Sequence, residues 1–257
     1  MKFLENYRFE NGIYIASSAD KEFESLYLKV RDKEKRIYSD TEVSNLPIVS
    51  ATNQHFDEWE LRKITTDRFV SYLHNIGGNI NLLDIGCGSG WFSANIAQNK
   101  SINICALDIN RSELEQAARV FNYSNLNFIN GNIFENIFDE NHFKLITLNS
   151  SLQYFDDLVA LVHRLFYFLK EGGEIHILDT PFYNSTELAG ARRRTIEYYR
   201  SLGFLEMVKY YFHHSYEEIE KFNFSILFNP NSLMTRIKKL LNNKVSPFPW
   251  IKIVKQN

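Results

Sequence analysis

Five short apolar runs separated by helix-like segments constrain the fold of this chain more than any other feature. The runs are typical of strands: "NLLDIG" (81–86), "INICALDI" (102–109), "LNFIN" (126–130), "FKLITLNS" (143–150) and "EIHILD" (174–179). The segments between them include amphipathic stretches such as "RSELEQAARVF" and "DDLVALVHRLFYFLK". Strands that alternate with helices in this way form a parallel sheet covered by helices on both faces.

The sequence on either side of this alternation predicts further elements. Apolar residues at helical spacing predict a helix over 56–76, which ends at two glycines. "NFSILF" (223–228) and "WIKIVK" (250–255) predict two more strands and bring the total to seven. We therefore divide the chain into an N-terminal arm with a leading helix (1–76) and a core (77–257), with a cap insert at about 181–220.

Composition and charge exclude several classes of protein. Hydrophobic residues make up 44% of the 257 residues and charged residues 23%, as in ordinary globular proteins. The formal net charge of −2 gives no general attraction for nucleic acid. The two cysteines, Cys87 and Cys105, have no metal-type or redox-type spacing, so we expect buried reduced thiols and no metal site.

The hydropathy of the chain predicts a cytoplasmic protein without membrane contact. The first residues, "MKFLENYRFENG", contain no apolar run of signal-peptide length, and no later segment is long and apolar enough to span a bilayer. The oligomeric state is left open.

A glycine-rich turn follows the first predicted strand. Gly86, Gly88 and Gly90 alternate with Cys87 and Ser89, and a helix is predicted to follow. Ligands of open α/β sheets bind beyond the carboxyl ends of the strands, and glycines let a ligand approach the backbone there. The alternative is a tight strand-to-helix turn without a ligand. Ser93 stands where a third glycine would complete G-x-G-x-x-G, which disfavours a dinucleotide site.

Asp108 ends the second predicted strand. A carboxylate in this position can accept hydrogen bonds from two adjacent ribose hydroxyls. The alternative is a favourable interaction with the dipole of the following helix, for which Asn110 and Glu113 form a candidate capping box. With the glycines upstream, we favour ribose binding.

Residues 79–179 resemble the class I S-adenosylmethionine-dependent methyltransferases. The resemblance is carried by "LLDIGCGSG", "LDIN", "NGNIF", "KLITLNSSLQYF" and "LKEGGEIHILD", in this order and spacing. It implies a Rossmann-like, seven-stranded, mostly parallel sheet with an antiparallel last strand, here extended by the N-terminal arm and a helical cap. It also implies S-adenosylmethionine as cofactor and methyl transfer as the reaction.

The resemblance also assigns cofactor contacts. The residues that it places around S-adenosylmethionine are Asp84, Gly86, Cys87, Gly88, Gly90, Asp108, Ile109, Asn132, Ile133 and Asn149. Asp84 and the glycine turn would support the methionine portion, and Asp108 would bind the ribose. Asn132 departs from the family pattern, which usually has an aspartate there, but its amide oxygen can still accept a hydrogen bond from the adenine amine.

Five residues are candidates for catalysis because they lie near predicted strand ends or in segments that would cover them. They are His55, Tyr154, Tyr183, His213 and His214. Each has an ordinary alternative, either a surface histidine or a packed aromatic residue. A general base is needed only if the acceptor atom is protonated at neutral pH.

Two charged segments have a solvated face as their first interpretation. "KVRDKEKRIYSD" (29–40) is typical of a solvated helix or arm, and gating of substrate is the alternative. Arg192, Arg193 and Arg194 cannot share one helical face, so at most one or two of them would meet a substrate anion.

The leading hypothesis is a methyltransferase acting on a small molecule, with the cap and the arm closing its pocket. The alternatives are a non-catalytic S-adenosylmethionine-binding regulator and, less favoured, an NAD-type oxidoreductase. A nucleic-acid methyltransferase is disfavoured because the segment after the fourth strand lacks an Asn/Asp-Pro-Pro-aromatic motif.

Overall fold

A computed structural model describes residues 2–17, 21–241 and 244–256 of the chain. The strands are β1 (Arg8–Glu10), β2 (Ile13–Ile15), β3 (Ile80–Ile85), β4 (Ile102–Asp108), β5 (Leu126–Asn130), β6 (Phe143–Asn149), β7 (Leu169–Leu178), β8 (Phe182–Tyr183), β9 (His214–Ser215), β10 (Phe224–Phe228) and β11 (Trp250–Val254). The helices are α1 (Lys21–Lys33), α2 (Asp40–Asn45), α3 (Phe56–Ile76), α4 (Trp91–Ala97), α5 (Arg111–Val120), α6 (Leu158–Phe168), α7 (Ser185–Leu202), α8 (Tyr216–Ile219) and α9 (Leu233–Leu240).

The main sheet has the strand order β1-β2-β5-β4-β3-β6-β7-β11-β10. The five central strands from β5 to β7 are parallel, and β11 runs antiparallel to both β7 and β10. This confirms the predicted mostly parallel sheet with an antiparallel last strand. Strand order reverses between β3 and β6, and ligands of such sheets bind in the crevice at this switch point.

Two strands that the sequence analysis did not predict extend the sheet from seven strands to nine. β1 and β2 form an antiparallel hairpin, and β2 pairs in parallel with β5. Asn11 and Gly12 make the turn, with φ values of 51° and 83°. An Asn-Gly pair is a strong hairpin signal because both positions adopt positive φ readily. Residues 1–76 are therefore not only an arm, because they contribute two strands to the sheet. The division of the chain between an N-terminal section and a core at residue 76 stays a prediction.

Helices cover both faces of the sheet because alternate strand residues point in opposite directions. Leu82 and Ile104 pack with α3, α4 and α5, while Leu83 and Cys105 pack with α6. The central strands are buried on both sides, which explains their continuous apolar runs. The two-sided packing predicted from the sequence is confirmed.

The predicted cap insert forms β8, α7, β9 and α8, with a 3-10 helix between α7 and β9. α1 packs against it through Phe23, Leu26 and Val30, which are buried with Tyr199 and Met207. The Tyr198 hydroxyl also donates a hydrogen bond to the Glu34 carboxylate, just after α1. The N-terminal section and the cap thus meet beside residues that follow β4 and β6, Ile109 and Tyr154.

Within the described residues, none of the helices combines the length and the apolar character that a membrane span requires.

Candidate active site

The glycine turn after β3 has an unusual backbone. Gly86, Gly88 and Gly90 all have positive φ, at 70°, 52° and 73°. Gly86 is exposed, whereas Gly90 is buried at the start of α4. A Cβ on Gly90 would lie 2.6 Å from Cε1 of Phe128, so this glycine serves packing against β5. Of the three glycines assigned to the cofactor, Gly86 and Gly88 line cavities and Gly90 faces the core.

Asp108 is fixed beside this turn by two backbone donors. The amide of Gly88 donates to Oδ2 at 2.7 Å, and the amide of Asn110 donates to Oδ1 at 2.8 Å. Burial raises the pKa of the Asp108 carboxyl, while these hydrogen bonds oppose the shift. The carboxylate therefore has a defined orientation at the end of β4, as a ribose ligand needs.

A small cavity of about 260 Å³ opens next to Asp108. Predicted cofactor contacts Ile109, Asn132 and Ile133 line it together with Phe134 and Phe155. The Asn132 Oδ1 atom accepts a hydrogen bond from the amide of Phe134 at 3.0 Å. This oxygen therefore has one lone pair already engaged and a second one for a ligand amine.

A large cavity of about 710 Å³ lies on the other side of the turn. The two cavities share residues from four segments: Tyr27, Gly86, Gly88, Glu113, Ser150 and Tyr154. The large cavity is bounded by the predicted contacts Asp84, Cys87 and Asn149, and by side chains from the cap. The two cavities are therefore adjacent, and the glycine turn forms part of the wall of each.

Asp84 lies at the floor of the large cavity and is 1% exposed. Its Oδ2 atom accepts a hydrogen bond from the Ser93 hydroxyl at 2.5 Å, and Oδ1 accepts one from the Thr147 hydroxyl at 2.8 Å. Burial raises the pKa of Asp84 to about 6 despite these bonds. Ser93, the residue in place of a third glycine, thus supports the acid below the turn.

The end of β6 presents polar groups to the large cavity. The buried Oδ1 atom of Asn149 has no hydrogen-bond partner in the described part of the chain. Ser150 has a positive φ of 58° and accepts a hydrogen bond from Nη2 of Arg62 at 3.2 Å. A strained residue beside an unpaired buried oxygen is typical of a ligand site.

Three of the five candidate catalytic residues line the site. Tyr154 borders both cavities, and Tyr183 and His213 border the large one. Nε2 of His213 lies 2.9 Å from the Thr195 hydroxyl. Burial, together with the nearby Arg192, lowers the pKa of His213 to about 4, so this imidazole is neutral at physiological pH.

The structure places the other two candidates, His214 and His55, outside the cavities. His214 is 2% exposed, and its Nε2 atom lies 3.2 Å from the carbonyl oxygen of Leu152. Successive side chains of an extended segment point to opposite sides, so His213 and His214 cannot both face the pocket. Nε2 of His55 lies 2.8 Å from the carbonyl oxygen of Glu34, which gives this histidine a structural contact.

Glu113 is a site residue that sequence reasoning treated only as part of a helix cap. Its amide does donate to the Asn110 side chain at 3.1 Å, so Asn110 caps α5 as predicted. The Glu113 carboxylate instead borders both cavities, and burial raises its pKa to about 7. The nearby carboxylate of Asp108 contributes to the same shift.

The fold and the site together define the class of protein. The strand order, the glycine turn and the acid that ends β4 are those expected from the resemblance. Residues 82–173 match a family described as "Methyltransferase domain". This segment is therefore a class I S-adenosylmethionine-dependent methyltransferase domain.

Individual relatives match over part of the chain. A malonyl-[acyl-carrier protein] O-methyltransferase of Ilyobacter polytropus is 33% identical over 45% of this chain and 44% of its own length. A demethylmenaquinone methyltransferase of Bacillus subtilis is 25% identical over 49% of this chain and 55% of its own length. The chain thus spans about half the length of the curated relatives that it matches.

The fold is similar to that of a solved structure over most of the chain. Geranyl diphosphate C-methyltransferase from Streptomyces coelicolor superposes with a TM-score of 0.53 at 13% identity, covering 81% of this chain and 86% of its own.

Proposed function

We propose that the protein transfers a methyl group from S-adenosylmethionine to a small-molecule acceptor. The observation that carries the proposal is that two cavities of different character adjoin at the glycine turn. One cavity is bordered by an oriented carboxylate and apolar side chains, as a nucleoside requires. The other is bordered by aromatic and charged side chains from the cap, as an acceptor site requires.

The residues present fit this cofactor. Asp108 would bind the ribose hydroxyls, and Ile109, Asn132 and Ile133 would surround the adenine. The exposed backbone of Gly86 lies where the methionyl portion would pass, and the unpaired Oδ1 of Asn149 offers an acceptor for its ammonium group. Asp84 and Cys87 would complete the floor of this part of the site.

The protein's contribution to the reaction is alignment. S-adenosylmethionine supplies an electrophilic methyl group on a sulfonium, and holding an acceptor atom in line can lower the barrier by about 7–11 kcal/mol. The shared border of the cavities, at Ser150 and Tyr154, is where the two reactants would meet. Beside the large cavity, the hydrogen bond from the Tyr198 hydroxyl to the Glu34 carboxylate ties α7 to the end of α1.

Two groups could take a proton from an acceptor that carries one. Glu113, with a pKa of about 7, is matched to a general base at neutral pH. Neutral His213 can accept a hydrogen bond but is a weaker base, because its pKa is about 4. A cytoplasmic location stays part of the proposal, supported by the buried free thiols of Cys87 and Cys105.

The experiment combines cofactor binding with turnover. Calorimetry with S-adenosylmethionine and NADH separates the methyltransferase from the oxidoreductase alternative. An acceptor screen then measures release of S-adenosylhomocysteine, and malonyl-acyl carrier protein and demethylmenaquinone belong in it because relatives are named for these acceptors. Binding of S-adenosylmethionine with turnover by one acceptor supports the proposal. Binding without turnover across the screen favours the non-catalytic regulator, and no binding overturns both.

A further inference from the structure

Five arginines line the large cavity, and they differ in whether a carboxylate already neutralises them. They are Arg31, Arg36, Arg62, Arg119 and Arg194. Arg36 and Arg62 share Glu58, which Arg36 binds through two nitrogens and Arg62 through Nη2 at 2.9 Å. These charges hold the pKa of Glu58 at about 2. Arg119 pairs with Asp40 at 3.2 Å.

Arg31 is poorly neutralised although it is mostly buried. Its buried Nε atom finds no hydrogen-bond partner among residues 2–17, 21–241 and 244–256. Its nearest carboxylate oxygen is on Glu34, 3.8 Å from Nη1, and Glu34 also faces Arg36 and the Tyr198 hydroxyl. The Glu113 carboxyl also acts on Arg31 electrostatically without forming an ion pair, and burial keeps its pKa at about 7, so it neutralises Arg31 only in part at neutral pH. A buried donor without a partner costs about 1–3 kcal/mol, more for a charged group, unless a ligand satisfies it.

Arg194 reaches the same cavity from the cap, where it hydrogen-bonds with the Tyr183 side chain, and it forms no ion pair within the described part of the chain. All three adjacent arginines of α7 are exposed, but Arg192 and Arg193 lie outside the cavity wall, which Arg194 lines. The helix thus separates three adjacent arginines, and only the third faces the pocket.

Aromatic rings line the large cavity together with Arg31 and Arg194. Tyr154, Tyr199 and Tyr211 border the same cavity as these arginines, and the ring of Tyr211 contacts the other two rings edge to face. Burial raises the pKa of each of these tyrosines, so their hydroxyls stay neutral donors. A pocket whose guanidinium groups are only partly neutralised, with neutral aromatic walls, suits a ligand that has both an anionic group and an apolar body.

We propose that the methyl acceptor carries a carboxylate or phosphate group, which Arg31 and Arg194 bind, and an apolar part that packs against the three tyrosines. This inference rests on the proposed function, because it assigns the charge of the acceptor for the same site. It excludes neutral and cationic molecules as preferred acceptors.

Simple probes test the charge requirement without knowledge of the acceptor. The protein is first saturated with S-adenosylhomocysteine, whose binding is measured separately by calorimetry. Ligand-observed NMR then compares benzoate and phenyl phosphate with the neutral benzyl alcohol. We expect at least one anion to bind about tenfold or more tightly than the alcohol. The stronger of the two anions identifies the group. Equal affinity for all three probes, or no binding of either anion, overturns the inference.

Matched arginine variants test the assignment. Arg194→Gln should lower the affinity for the preferred anion by about tenfold, whereas Arg193→Gln on the same helix should change it by less than about twofold. Arg31→Gln should show the same loss as Arg194→Gln. Equal effects of Arg193→Gln and Arg194→Gln would contradict a specific contact.

The affinity for S-adenosylhomocysteine separates this inference from the proposed function. Both Arg194→Gln and Arg31→Gln should leave it within about twofold of the original value. A selective loss of this affinity in Arg31→Gln would assign Arg31 to the cofactor and overturn its place in the acceptor site. Failure of S-adenosylhomocysteine to bind the unmodified protein would overturn the proposed function itself.

Discussion

The two halves of the site are built in different ways. The half beside Asp108 comes mainly from turns that follow the central strands, with α1 and Tyr210 of the cap along one side, and its hydrogen bonds join residues close to strand ends. The half beside Arg194 comes from α1, α3 and α7, which meet through long-range contacts such as the bond between Tyr198 and Glu34. In the proposed function, the sheet framework would therefore bind the methyl donor, while the added segments would determine which acceptor binds.

Replacing Gly88 gives the most severe test of the cofactor half. A valine there would adopt an unfavourable positive φ, and its Cβ would lie 3.2 Å from the Glu113 carboxylate. We expect Gly88→Val to weaken S-adenosylmethionine binding by at least about a hundredfold in calorimetry.

Gly172→Val is the control for backbone strain. Gly172 also has a positive φ, of 62°, but a Cβ there has no atom within 4 Å. This variant should lose stability by about 1–2 kcal/mol and keep its affinity. Equal binding losses in the two variants would mean that strain alone, and not the turn, controls the site.

Asp108→Ala is expected to have the next largest effect. It removes a carboxylate that orients the turn and would bind ribose, so S-adenosylmethionine affinity should fall by about ten- to a hundredfold. Asp157→Ala is the matched control, because Asp157 also accepts a backbone hydrogen bond, from Ala160 at 2.9 Å, but caps α6. An unchanged affinity in Asp108→Ala would remove this residue from the ribose role.

The contrast between the halves also explains what the sequence could predict. The central strands, the glycine turn and Asp108 follow local patterns, because periodicity and turn chemistry act over a few residues. The β1–β2 hairpin carried a local signal at Asn11 and Gly12, but its three-residue strands were too short to show an alternation.

The acceptor half had no such local signal. Arg31 lies in a charge run typical of a solvated helix, and only the packing of α1 on the cap turns it towards the cavity. The sequence predicts that at most one or two of Arg192, Arg193 and Arg194 face the pocket. That Arg194 is the one depends on how α7 packs against the rest of the chain. The sequence does not distinguish His213 from His214 as candidates. In the extended chain their side chains point to opposite sides, so His213 borders the cavity and His214 contacts the Leu152 carbonyl oxygen.

Glu113 lies where the two halves meet and should make cofactor binding depend on pH. Its pKa is raised to about 7, so it is mostly protonated at about pH 6 and mostly ionised at about pH 8. Arg31 already favours the ionised form of this carboxylate in part, and the positive sulfonium of S-adenosylmethionine should favour it further. The affinity for S-adenosylmethionine should therefore rise by about five- to tenfold between these pH values.

Two comparisons isolate this effect by calorimetry. S-adenosylhomocysteine lacks the sulfonium charge and should show a weaker pH dependence than S-adenosylmethionine. Glu113→Gln should remove the difference between the two ligands. An affinity for S-adenosylmethionine that falls with rising pH would contradict a favourable interaction between the Glu113 carboxylate and the sulfonium.

His55→Ala should have a smaller effect than Gly88→Val, Asp108→Ala and Glu113→Gln. His55 was a candidate base from its position before α3, but its ring contacts the Glu34 carbonyl at 2.8 Å and lies outside both cavities. We expect S-adenosylmethionine affinity and turnover of the acceptor found by screening to change by less than about twofold. His74→Ala, at an exposed position near the end of α3, serves as the comparison. A loss of turnover beyond about tenfold in His55→Ala alone would mean that the N-terminal section takes part in catalysis as well as in acceptor binding.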